Sequence, residues 1–336
     1  RKLAAPVAAV GKLAAKSAAY SIDGRLNDSF RAVNMLFDKG VAVRRIEKPS
    51  DGLRPGDFAV AGSHEDVLNT VAAATGVDFR PLQNASQGRE VKRLRIGMYQ
   101  RYSGGNIDEG WTRFLLEQFG FPYKSVMDAE IKKGDLNSNY DVIILPDDST
   151  AALTGERRES PFRREDEFPP EYRSGFGKEG VEALKAFVEK GGTLAALGGA
   201  SNFAIEKLEV RVRNVTAGKS TKEFWCPGST LRVKSDTANP IAWGMPENGL
   251  AVYLQGNGAY EILPSAHNDR YEVAMRYEDR DLLESGWLLG EQVIAKKAAV
   301  VVAETGKGRV ILYGIRPQHR AQTHGTYKLL FNALVR

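Results

Sequence analysis

Four histidines, one cysteine and a serine on a glycine turn are the side chains here whose types could carry chemistry. A zinc site needs neutral imidazoles and carboxylates converging on one ion. His64, His267, His319 and His324 are followed three residues later by Val67, Arg270, Gln322 and Tyr327, none of them acidic. His319 and His324 lie five apart in a polar segment, where a loop role is the expectation. No metal ligand is therefore assigned. Cys226, in FWCPGS, stands before a proline at the start of a strand-like piece and is not expected to act as a nucleophile. A single cysteine also excludes an intrachain disulfide framework.

Three junctions offer chemistry through their placement. The run 193–206, TLAALGGASNFAIE, reads strand, glycine turn, helix, the arrangement that lifts a nucleophile above a parallel sheet. Its turn holds Gly199, Ala200, Ser201 and Asn202. A serine there needs a positioned base and oxyanion donors; without them Ser201 or Asn202 is a helix cap. The turn 102–111, YSGGNIDEGW, could offer backbone amides to an anion. Asp108 and Glu109 occupy that first helical turn, suit the helix dipole and repel a phosphate. Neither GxGxxG nor GxxxxGK[ST] occurs, so nucleotide binding is not expected. Finally, Arg316, Gln318, His319, Arg320, Gln322 and His324 crowd nine positions between a strand and a helix. They could hold an anion or a carboxylate, or satisfy loop backbone and pair with Asp108 and Glu109.

The elements that would position these residues begin with a small α/β unit. Strand 20–22, helix 29–38 capped by Asn27 or Asp28, strands 41–46 and 57–61, and helix 65–75 ending at Gly76 follow from periodicity and punctuation. Residues 83–92 read as a linker. Strand–helix alternation then restarts with strands 94–99, 123–126, 140–145 and 193–197 and helices 108–119 and 178–189. The apolar run 140–145 suits a buried parallel strand. The charged, proline-containing segment 146–177 reads as a surface loop or lid. Strand-like pieces dominate after residue 203, with a hairpin around TGKG and a final helix at 323–335. The expected class is α/β: a doubly wound, flavodoxin-like parallel sheet with an antiparallel extension, preceded by the small unit. Residues 1–17 are a linker or the end of an upstream domain, 18–82 a connector domain, 83–92 a linker and 93–336 the main domain. Loops leaving the carboxyl ends of parallel strands converge on one rim, so 316–324, 198–202 and 104–109 should meet there.

The 336 residues carry 47 basic and 42 acidic side chains, net +5, with 42% hydrophobic composition. Basic pairs such as Arg44–Arg45 and Arg157–Arg158 have acids nearby, and no focused stripe marks a nucleic-acid partner. No apolar run approaches the ~20 residues of a membrane span. The alanine-rich start has no methionine and no secretory signal pattern.

The runs RIGMYQ…DEGWTRFLLEQFGFPY, DVIILPD, GGTLAALGGASNFAIE and YGIRPQHRAQTHGTYKLLFNAL resemble, in order, the C-terminal non-peptidase region of bacterial zinc carboxypeptidase (carboxypeptidase A-like) proteins. AYSI…NDSFRAVNMLFDKGVAV is similar to the connector before it. The resemblance implies a class I glutamine amidotransferase-like domain without its nucleophilic cysteine. It places zinc and the HxxE motif in a peptidase domain outside these residues, so no cofactor is expected here. It implies that peptidase domain as partner, assembly with other copies as a further option, and a periplasmic or extracellular location. Two readings follow: a non-catalytic accessory region, or an independent hydrolase or ligand-binding domain using a cleft at Ser201, His319 and His324, with Asp108, Glu109, Asn202, Arg316, Gln318 and Arg320 lining it.

Overall fold

Strands that are largely buried build two sheets in the computed structural model, which describes residues 9–50, 52–84, 86, 88–102, 105–156, 169, 174–264 and 270–336. The first sheet is antiparallel and contains β1 (Ala19–Ile22), β2 (Val43–Arg45), β3 (Phe58–Ala61), β4 (Arg80–Leu82) and β5 (Arg89–Val91), in the order β4-β1-β3-β2-β5. Helices α1 (Asn27–Asp38) and α2 (Glu65–Thr75) complete this unit. Gly76 ends α2 in the left-handed region, where glycine carries no Cβ penalty. The expected linker 83–92 thus contains an edge strand. Three residues, REV, show no alternation of their own; pairing with β2 makes them a strand. The expected caps also differ. Leu26 precedes α1 without a side-chain bond. Asn27 instead donates to the His324 carbonyl at 2.9 Å.

The main unit is a doubly wound α/β sheet. Its parallel strands are β6 (Ile96–Tyr99), β7 (Tyr123–Val126), β8 (Val142–Leu145), β9 (Thr193–Leu197) and, last in the chain, β17 (Gly308–Tyr313). They lie in the order β17-β9-β8-β6-β7. Numbered along the chain this is 2-1-3-4-5, the flavodoxin-like order, with its switch point between β6 and β8. The intervening helices are α3 (Ile107–Gln118), α4 (Asp128–Lys133), α5 (Thr150–Thr154), α6 (Gly177–Glu189) and α7 (Ala200–Lys207). Helix α5 lies within the span expected to be irregular. Residues 157–168 and 170–173 of that span fall outside the described residues.

The antiparallel extension comprises β10 (Val212–Asn214), β11 (Gly228–Ser235), β12 (Asn248–Leu254), β13 (Tyr260–Ile262), β14 (Arg270–Tyr277), β15 (Leu283–Ser285) and β16 (Ala298–Thr305), with a short α8 (Glu291–Ile294). It joins the parallel core through β16, which forms the TGKG hairpin with β17. Helix α9 (Tyr327–Leu334) closes the chain. Both faces of the parallel sheet are covered, as its continuous apolar strands require. Met98, Val142, Ile144 and Ile311 face a core shared with α3 and α9, whereas Ile143, Leu145, Leu194 and Leu312 face α6 and α7.

The small unit is packed onto the main one. Phe30 of α1 meets Phe331 of α9 with ring centroids 5.2 Å apart, and Phe119 meets Phe331 at 4.8 Å. Arg45, 2% exposed, lies over the rings of Phe30, Phe58 and Trp243 and donates to Oδ1 of Asn332. The Asn332 amide in turn donates to the carbonyls of Ile241 and Trp243, both at 2.9 Å. Among the described residues no helix is long and apolar enough to cross a membrane.

Candidate site at the switch-point crevice

Four loops leave the carboxyl ends of β6, β8, β9 and β17, and hydrogen bonds tie them together. Asn106 caps α3 by accepting from the amides of Asp108 (2.9 Å) and Glu109 (3.2 Å). Its own amide donates to the Asp147 carbonyl and to the Asp148 carboxylate after β8. Asp108 accepts from the Asp147 amide at 2.9 Å and from the Gln318 amide at 3.1 Å. Gln318 also donates to Thr112 at 2.8 Å. Asp147 completes the link by accepting from the Gly199 amide through Oδ1 and pairing with Arg316 through Oδ2 at 3.2 Å. Asp108, Asp147, Arg316, Gln318 and Gly199 therefore share one rim, spanning the switch point.

The pairing differs from expectation, which joins Asp108 or Glu109 to Arg316 or Arg320. Arg316 pairs instead with Asp147, Arg101 with Asp148 at 3.1 Å, and Glu109 with Arg113 one turn along its own helix. Arg320 is exposed and has no ion pair among the described residues. Asp108 on α3 also reaches the loop after β17, but its Oδ2 is taken by the Asp147 amide and by Gln318, whereas Asp147, directly after β8, presents Oδ2 to Arg316. Sequence reasoning misses Asp147 and Asp148, although a polar pair directly after a buried strand obeys the same rim rule.

Burial sets the electrostatics. Desolvation pushes the Asp108 carboxyl up to about 6, against the opposing hydrogen bond from the Asp147 amide and the charge of Arg316. Desolvation likewise raises Glu109 and Asp148, opposed by Arg113 and Arg101 respectively. His319 is half-buried, and desolvation, with Arg316 and Arg320 nearby, lowers its pKa. Its Nδ1, Arg316 Nε and Gln318 Oε1 are buried without hydrogen-bond partners.

The elbow has the strand–turn–helix geometry but no reactive group. Its positive φ falls at Gly198 (+53°), one residue before the positions expected from sequence. A Cβ there would meet Asp147 Oδ1 at 2.3 Å. Ser201 is fully buried; its hydroxyl lies 2.9 Å from the Ala196 carbonyl and 3.1 Å from that of Tyr313. These two carbonyls, rather than a helix-capping amide or a histidine, are its partners, because the first turn of α7 points it down between β9 and β17. Asn202, also expected as a cap, accepts from Asn214 at 2.9 Å. His324 is exposed and packs on the Tyr327 ring at 4.9 Å. Cys226 is 3% exposed, and burial raises its thiol pKa. His267 and Gly104 lie outside the described residues. Among the described residues no three His, Cys, Asp or Glu side chains gather as a metal would require.

No family model matches the chain. It is 24% identical over 164 residues to the biotin–protein ligase of Schizosaccharomyces pombe, a match covering 45% of this chain. The chain spans about a quarter of the length of that curated relative, 24%. Among solved structures it is similar to a ThuA-like protein from Bacteroides uniformis (TM-score 0.39, 16% identity, 76% of this chain and 93% of that one). It is also similar to a GMP synthase component from Thermoplasma acidophilum (TM-score 0.41, 10% identity, 72% and 95%). A cytoplasmic protein from Salmonella typhimurium gives a TM-score of 0.43 at 12% identity, over 72% and 99%.

Proposed function

We propose that this chain is a non-catalytic accessory region with an amidotransferase-like sheet, docking on the peptidase domain of a zinc carboxypeptidase-like protein. The parent and its exported location rest on the resemblance of the sequence motifs. The observation carrying the non-catalytic reading is Asp147, whose carboxylate fills the place above Gly198 where an elbow side chain would stand and accepts from the Gly199 amide. A nucleophile elbow needs that space for its side chain and an adjacent amide free for the developing oxyanion. The burial of Ser201 and Cys226 supports the same reading.

A second reading, retention of a small polar ligand in the crevice, is favoured by the unpartnered atoms of Arg316, Gln318 and His319. Buried polar groups without partners are costly, and a ligand or water would satisfy them.

Two measurements on the intact chain test the proposal. Serine- and cysteine-directed electrophiles should leave Ser201 and Cys226 unlabelled in the native protein, by peptide mass mapping. The separately produced peptidase domain should co-elute with the chain on gel filtration. Stoichiometric labelling of either residue would overturn the non-catalytic reading; failure to associate would overturn the docking one.

A further inference from the structure

The edge strands of a sheet present unpaired amides and carbonyls, which proteins blunt with charge, proline or short length. Among the described residues, six strands have a single strand neighbour, and five of them follow that rule. β4, β5, β7, β10 and β15 are three or four residues long and carry Arg80, Arg89, Lys124, Arg213 and Glu284 respectively. β4 adds Pro81. The sixth, β12, does not. Its sequence NGLAVYL runs seven residues without a charge or a proline, paired only with β11.

The free groups of β12 follow from its register. The Ser235 amide donates to the Glu247 carbonyl at 2.7 Å, and alternation from that pair turns Gly249, Ala251 and Tyr253 towards β11. The amides and carbonyls of Leu250 and Val252 therefore point away from the sheet, without a backbone partner among the described residues. Leu250 is 47% exposed, and Val252 and Leu254 are half-buried on the same face. Charges beside them on β11 are balanced: Arg232 pairs with Glu284 at 2.5 Å and Lys234 with Glu278 at 3.8 Å.

We propose that two copies of this chain join through β12, antiparallel, about a two-fold axis at Ala251. Self-complementarity is what selects a second copy as the occupant. In this register Leu250 stands opposite the partner's Val252 on the outer face. On the inner face Gly249 stands opposite the partner's Tyr253, so the residue without a side chain faces the bulkiest one in the strand. Glu247 meets the partner's Gln255, and no like charges are apposed from 247 to 255. Leu250 and Val252 exchange both backbone bonds with their opposites, on each side of the axis, so the groups left open in one copy are closed by the other. The two large sheets then run on as one.

Sedimentation velocity of the intact chain tests this. Between roughly 1 µM and 1 mM, the span of weak association, the chain should shift from one copy to two and stop there. Leu250→Lys combined with Val252→Lys sets lysines directly opposite one another and should weaken association about tenfold or more, with an unchanged circular dichroism spectrum. If the double variant fails to fold, Leu250→Lys alone gives the same reading. Amide exchange followed by NMR should slow at Leu250 and Val252 as concentration rises, and change little at Ala251 and Tyr253, which already bond β11. A chain that stays single at every concentration, a dimer undiminished by the lysines, or growth past two copies into open aggregates would overturn the proposal. Protection of Leu250 and Val252 that arises only when the peptidase domain is added would assign the edge to that partner and overturn it equally.

Discussion

Asp147 closes the elbow at Gly198: a Cβ on Gly198 would stand 2.3 Å from Asp147 Oδ1, at a backbone φ of +53°. Both facts penalise any side chain at this turn, one by collision and one by backbone strain. Gly198→Ala is expected to cost about 1–3 kcal/mol in urea unfolding. In Asp147→Gly the collision term should vanish and the backbone term remain. A double-mutant cycle showing no coupling between the two positions would refute the contact as the cause.

Asp108 should make stability fall as pH rises through the acid range. The folded protein keeps this proton up to about pH 6, whereas the ordinary value for a solvated aspartate carboxyl is 3.8. Between those values the folded state binds more protons, so its advantage is full at the acid end and lost on ionisation. The stability of wild type minus that of Asp108→Asn should therefore drop by roughly 2–3 kcal/mol between pH 4 and 7. Denaturant titrations across that range check it; a flat difference, or one that rises, contradicts the assignment.

Asn332 is expected to hold the small unit on the main one. It accepts from the buried Arg45 guanidinium and donates to two carbonyls. Asn332→Ala leaves all three without this partner and should destabilise by about 2–4 kcal/mol. A loss below about 0.5 kcal/mol, within the range of ordinary surface changes, would show that the aromatic contacts alone secure the units.

Cys226 should resist modification until the chain unfolds. Its thiol is 3% exposed with a raised pKa, so both access and thiolate fraction are low. A disulfide-exchange reagent at pH 8 should react about a hundredfold more slowly with the native protein than with the denatured one. Equal rates would place the thiol at the surface.

Much of the fold was legible because its signals are local. Strand 193–197 and helix 65–75 with Gly76 follow from runs of apolar residues and from glycine punctuation, and the structure has these bounds. The flavodoxin-like sheet follows from strands alternating with helices, and the shared rim follows from right-handed crossovers between parallel strands. Which partners meet on that rim was not legible. Gln318 reaches Asp108 across 210 residues and Arg45 reaches Asn332 across 287. Strand Arg89–Val91 exists because β2 offers it an edge. Residue types and periods determined that polar loops would face a crevice; tertiary structure decided that Asp147, not Asp108, would take Arg316 and close the elbow. Periodicity is a property of neighbours along the chain, whereas ion pairing depends on distances that only the packed sheet sets.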